Sequence, residues 1–82
     1  MARFRIIIKN GEAAAKTDEI NCVSIEEARN HAVLTTGDCL KTIDGSFWED
    51  GHWQLDIADD RGLLLSSIMV HGVTSAALYG RE

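Results

Sequence analysis

The sequence predicts an α+β fold: an antiparallel sheet of about four strands, ordered β-β-α-β-β, packed on one amphipathic helix. Three stretches carry that prediction. Residues 3–9 and 53–58 alternate apolar and polar side chains as half-buried strands do, and Ser24 opens a run whose apolar residues recur at three- and four-residue steps.

In RFRIIIK, residues 3–9, Phe4, Ile6 and Ile8 share one face and Arg5, Ile7 and Lys9 the other. Asn10-Gly11 follows as a hairpin signal, because both residues tolerate positive φ. The return strand is weakly marked. EAAAKTDEINCV, residues 12–23, is small and polar up to Ile20, and AAAK alone favours helix, so this strand is expected to be short, late or frayed.

The helix is better marked. Ser24 with Glu27 three residues on is a capping box, and Glu26 and Glu27 suit the positive end of the helix dipole. Ile25, Ala28, Ala32, Thr35 or Thr36, Cys39, Leu40 and Ile43 form one stripe on a helix of about residues 25–41. Ala28 and Ala32 are small enough to let it lie close to a sheet. Gly37 inside it costs about 1 kcal/mol relative to alanine, and Gly45 is the expected stop.

Further on, Trp53, Leu55 and Ile57 alternate with Gln54 and Asp56, and DDRG, residues 59–62, reads as a turn. Residues 63–70 read as the last strand with two registers open. Either Leu64, Ser66, Ile68 and Val70 face inward, or Leu63, Leu65 and Met69 do. Residues 72–82 are expected to be a frayed tail holding a loose helical turn at 74–78.

The most chemically loaded stretch is DGSFWEDGHW, residues 44–53, which holds both tryptophans. Asp50-Gly51 suits a two-residue hairpin turn. That places Glu49 opposite His52 and Trp48 opposite Trp53, with Phe47 and Trp48 extending the sheet and both indoles directed at the helix. Packing is the expected role of the rings, and the rim they leave exposed, Trp48, Glu49 and His52, is the candidate binding site. Ile7 joins it as an apolar residue on the outer sheet face.

The totals exclude several classes. Eighty-two residues predict one domain, 1–82. Eight basic against thirteen acidic residues give a net charge of −5, so neither nucleic acid nor membrane is an expected partner. The longest apolar runs, residues 6–8 and 63–65, fall far short of the roughly 20 needed to span a bilayer. Cys22 and Cys39 form no Cys-x-x-Cys pair, and no signal peptide is read ahead of them, so reduced thiols and a cytoplasmic location are expected. Cys22 lies near a helix N-terminus, a position that can lower a thiol pKa. His31, His52 and His71 lack metal-site spacing, so no metal or cofactor is expected. Asp56, Asp59 and Asp60 sit on a strand face and a turn, and no G-x-S-x-G, P-loop or H-E-x-x-H motif is present, so no enzyme is expected. Two function classes remain: a protein-interaction module, self-association included, and a ligand-binding or regulatory module.

The run of RFRIIIKNG, SIEEARNHA and FWEDGHWQLDIADDRGLLLSS resembles a family of small bacterial domains of unknown function, common in rhizobia and related soil bacteria. Members begin with an aromatic-bearing strand ending in Asp-Gly, here Asn10-Gly11, and open a helix through Glu-Ala-Arg, here Glu27, Ala28 and Arg29. They close with a Trp-bearing strand, an Asp-x-x-Gly turn and a Leu-rich strand, here Trp53, Asp59 with Gly62, and residues 63–67. The chain departs from the pattern at Val23, where proline is common, and in its alanine-rich EAAAK. The resemblance covers nearly the whole chain and implies the fold and a cytoplasmic bacterial origin, with no activity attached. The hairpin and the helix rich in Glu-Glu-Ala are also similar to HicB-type antitoxins, which implies a regulatory role. The chain has no separate DNA-binding segment of the kind that accompanies them.

Overall fold

A computed structural model of the protein describes residues 2–11 and 16–79. Four strands, β1 (Ala2–Asn10), β2 (Lys16–Cys22), β3 (His52–Asp59) and β4 (Leu64–His71), form one antiparallel sheet in the spatial order β2-β1-β3-β4. Helix α1 (Ile25–Ile43) covers one face. Two single-turn helices, α2 (Phe47–Asp50) and α3 (Ala76–Tyr79), follow α1 and β4. The predicted class and element order are those observed.

Alternation decides which side chains meet the helix. Ile6 is paired with Ile57 and Ile8 with Leu55, while Asn10 is paired with Trp53. Ile6, Ile8, Trp53, Leu55 and Ile57 pack with Phe4 and Cys22 against Ala28 and Ala32. Both alanines are fully buried, so the helix seats directly on the sheet, as their small size suggests. Ser24 caps α1 by accepting the Glu27 N–H at 3.2 Å. One turn beyond Ala32, buried Thr36 donates its hydroxyl to the Ala32 carbonyl at 2.8 Å and so carries no unmet polar group into the core.

Three local expectations are corrected. Asn10-Gly11 does not make a two-residue hairpin: β1 continues through Asn10, and Ile8 is already paired with Lys16, a register too wide for a two-residue turn at 10–11. Gly11 does take φ +61°, but there it donates its N–H to the His52 carbonyl at 3.0 Å. The helix preference of AAAK falls largely on residues 12–15, outside those described; Lys16, its last residue, belongs to β2. The stop of α1 is Asp44 at φ +55°, one residue before Gly45, with its N–H donating to the Leu40 carbonyl. In β4 it is Ser66, Ile68 and Val70 that face α1. A bulge opposite Ile57 and Ala58 turns Leu64 out to pair with Ala58, so it does not join them.

The turn into β4 is built by Asp59. Its Oδ1 accepts the N–H groups of Arg61 (2.9 Å) and Leu63 (2.8 Å), and Gly62 takes φ +90°. The DDRG signal is thus satisfied by side-chain capping of a tight reversal.

Candidate functional site

Residues 44–53 do not form the predicted hairpin. After Asp44 the chain makes a 3-10 turn (Asp44–Ser46), and Ser46 Oγ donates to the Ile43 carbonyl at 2.7 Å. Then α2 forms, and Gly51, at φ +66° and ψ +21°, closes it by donating its N–H to the Phe47 carbonyl at 2.8 Å. Asp50-Gly51 therefore ends a helix in a left-handed cap. Glu49 does not face His52, and Trp48 does not face Trp53. The neighbours of Trp53 are Asn10 on β1 and Val70 on β4.

The two indoles part company. Trp53 is 1% exposed, in the middle of the core, whereas Trp48 is 60% exposed. The expectation that both rings pack as one end of the core is corrected: Phe47 and Trp48 leave the sheet and pack on each other edge to face, with centroids 5.6 Å apart and planes at 79°. Gly72, just past β4, is their platform. A Cβ there would lie 2.6 Å from Trp48 Cζ3 and 2.7 Å from Phe47 Cε2, so any other residue would push the rings from their present positions. Beside them is an open pocket of about 340 Å³ lined by Leu40, Asp44, Phe47, Trp48 and Val70. Asp44, Glu49 and Asp50 give this segment three exposed carboxylates. Of these Asp44 lines the pocket, so the patch offers an aromatic face beside a carboxylate, chemistry that suits an apolar group carrying a positive charge.

The opposite face of the sheet holds a second feature that the alternation pattern placed on the surface. Asp56 is only 6% exposed although no helix covers it. Its Oδ1 accepts from Gln54 Nε2 and Ser67 Oγ, both at 2.7 Å, and Oδ2 lies 3.7 Å from Lys9 Nζ. Ile7 is paired directly opposite it on β1. Burial pushes the Asp56 carboxyl up, but the Gln54 and Ser67 hydrogen bonds and the Lys9 ammonium pull harder, and the net shift is below the usual range. Such a carboxylate stays charged at neutral pH, far from the near-neutral pKa that a general base uses.

The four sequence-predicted site residues do not converge. Trp48 and Glu49 stand on α2, with Trp48 beside the helix-facing Val70, while Ile7 and His52 lie on the outer face. His52 stacks on its cross-strand partner His71, with centroids 5.2 Å apart and planes at 22°. Sequence reasoning missed Leu40, Asp44 and Val70 beside Trp48, because they meet only once α2 turns back over β4. It also missed the Lys9–Gln54–Asp56–Ser67 group. All four residues fall on outward positions of adjacent strands, so strand order and register would have found it. Cys22 is buried, and burial together with the Glu27 carboxylate raises its thiol pKa, overturning the lowering its place before α1 suggested. Among the described residues no group of three or more His, Cys, Asp or Glu side chains is arranged to hold a metal ion.

Comparison with curated proteins and with solved structures finds no match in either. A family model, by contrast, spans the sheet and α1 from residue 3 to residue 71, and on that match the chain belongs to the family described as Domain of unknown function (DUF6894).

Proposed function

We propose that the chain is a non-catalytic protein-interaction module of the bacterial cytoplasm, with Trp48 and the pocket beside it as its recognition patch. The observation that carries this reading is the displayed indole. Among the described residues it is the largest exposed apolar side chain, 60% exposed and seated against Gly72. Tryptophan is the side chain most enriched among residues that dominate binding energy. The Asp44 carboxylate beside the ring and the net charge of −5 favour a partner segment that pairs an apolar anchor with lysine or arginine, and disfavour phosphate-bearing surfaces. The bacterial and cytoplasmic parts rest on the sequence resemblance and on two free cysteines. No helix among the described residues is long and apolar enough to cross a membrane.

The antitoxin-like, ligand-binding reading has one observation in its favour: the pocket volume of about 340 Å³ falls at the lower end of small-molecule sites. A capture experiment separates the two. The wild-type chain as bait in its host's extract should retain a protein that the Trp48→Ala bait retains about tenfold less, the loss expected of a binding hot spot. Equal retention by the two baits would overturn the proposal. A melting temperature raised by a small metabolite, with no protein captured, would favour the ligand-binding reading.

A further inference from the structure

The two edges of the sheet differ in kind. The β2 edge, KTDEINC, carries Lys16, Asp18 and Glu19, the charges with which sheet edges discourage pairing. The β4 edge, LLSSIMVH, is eight residues long and carries no Asp, Glu, Lys or Arg. Its Leu65 and Met69 are 39% and 59% exposed.

Hydrogen bonding fixes which backbone groups of β4 are free. Gly72 donates its N–H to the Gly51 carbonyl at 2.9 Å, and Asp59 donates to the Leu63 carbonyl at 2.9 Å. Ladder bonds alternate along an antiparallel pair. Counting inward from both anchors, and allowing for the bulge, Ser66, Ile68 and Val70 bond to β3, while Ser67, Met69 and His71 direct their N–H and C=O groups away from the sheet.

We infer that this edge binds a second copy of the chain, β4 against β4 antiparallel about a two-fold axis at Ser67, to give a continuous eight-stranded sheet. That register sets the free backbone groups of Ser67 against their own counterpart, and places Met69, also free, opposite Leu65 of the second copy, the residue at the bulge, on each side of the axis. The exposed Met69 and Leu65 side chains then cover one another on the outer face, and β4 itself brings no Asp, Glu, Lys or Arg to the seam. A small cavity of about 130 Å³ lined by Val33, Ser66 and Ile68 among others runs between α1 and β4 near this edge, so the second copy also shelters exposed Val33. The pairing is closed. Joining β4 to the β2 of another copy would leave new edges and build a fibre, and the β2 charges oppose it.

The inference rests on reading the chain as an interaction module but uses a different surface from Trp48, so the two fail separately. Light scattering on the eluting protein at about 100 µM, above the dissociation range of a small interface, should give twice the chain mass of 9.0 kDa. Met69→Lys should return it to 9.0 kDa as a monomer that still unfolds cooperatively, because Met69 lies outside the core. Ser67→Cys should form a reducible disulfide dimer under mild oxidation that wild type does not form. A mass of 9.0 kDa for wild type, or a dimer that Met69→Lys leaves intact, would overturn the pairing. If that surviving dimer were broken by Trp48→Ala, the second copy would belong on the Trp48 patch. A monomer whose capture of another protein still depends on Trp48 would overturn the β4 pairing and leave the recognition patch standing.

Discussion

Replacing Trp53 by alanine is expected to lower stability by about 4 kcal/mol, the range for emptying a fully buried aromatic site. For a chain of 82 residues this is about 15–30 °C in melting temperature, enough to unfold a large share of the protein at growth temperature. The cause is local. Trp53 is paired between Asn10 and Val70 and belongs to the core cluster, so its loss opens a void between β1, β3 and β4 that Ala28 and Ala32 are too small to fill. The same change at Trp48 should cost less than about 0.5 kcal/mol, as exposed substitutions do. Thermal unfolding of the two variants side by side checks the contrast, and equal losses would mean that both rings are core.

The second large effect is expected at Asp56. Asp56→Ala leaves the Gln54 amide, the Ser67 hydroxyl and the Lys9 ammonium without their shared acceptor, which should cost about 2 kcal/mol. The group also gives the stability of the wild type an acid limb. Its native pKa lies below the value of about 3.9 it has in the unfolded chain. Between those two values the unfolded chain binds more protons than the native state, so stability falls as pH falls. The contribution is present in full above the unfolded value and drains away as pH drops through the native one. Asp56→Asn has no proton to take up and should lack this part of the acid limb. Chemical denaturation at pH 7 and across the acid range measures both, and identical acid limbs for wild type and Asp56→Asn would show that the network is not there in solution.

Where the sequence was legible, one residue pattern had one structural use. The alternation of residues 3–9 and 53–58 places Ile6, Ile8, Leu55 and Ile57 on one face whichever strands are neighbours, and Ser24 with Glu27 fits little but a helix start. The loaded stretch was misread because its key dipeptide serves two structures. A glycine at positive φ after an aspartate makes either a tight hairpin or a left-handed helix cap, and Gly51 makes the cap. Which one forms is decided by what lies around it. Once β1 and β4 occupy both sides of Trp53, no edge remains for residues 47–50 to join. Asn10-Gly11 misled in the same way, since pairing with β3 extends β1 through Asn10. The Asp56 group was hidden for a different reason. Its members are 2, 11 and 47 positions from Asp56 in the chain, and only strand order and register bring them together.

The account turns on Trp48 being displayed and Trp53 enclosed, and fluorescence quenching reads this directly. Trp53→Phe leaves Trp48 as the only indole, and Trp48→Phe leaves only Trp53. With acrylamide as quencher, the emission of Trp48 alone should lie to the red and be quenched several times more strongly than the blue-shifted emission of Trp53 alone. Blue-shifted, protected emission from both single-tryptophan variants would contradict the account, because it would place Trp48 inside the core and remove the recognition patch.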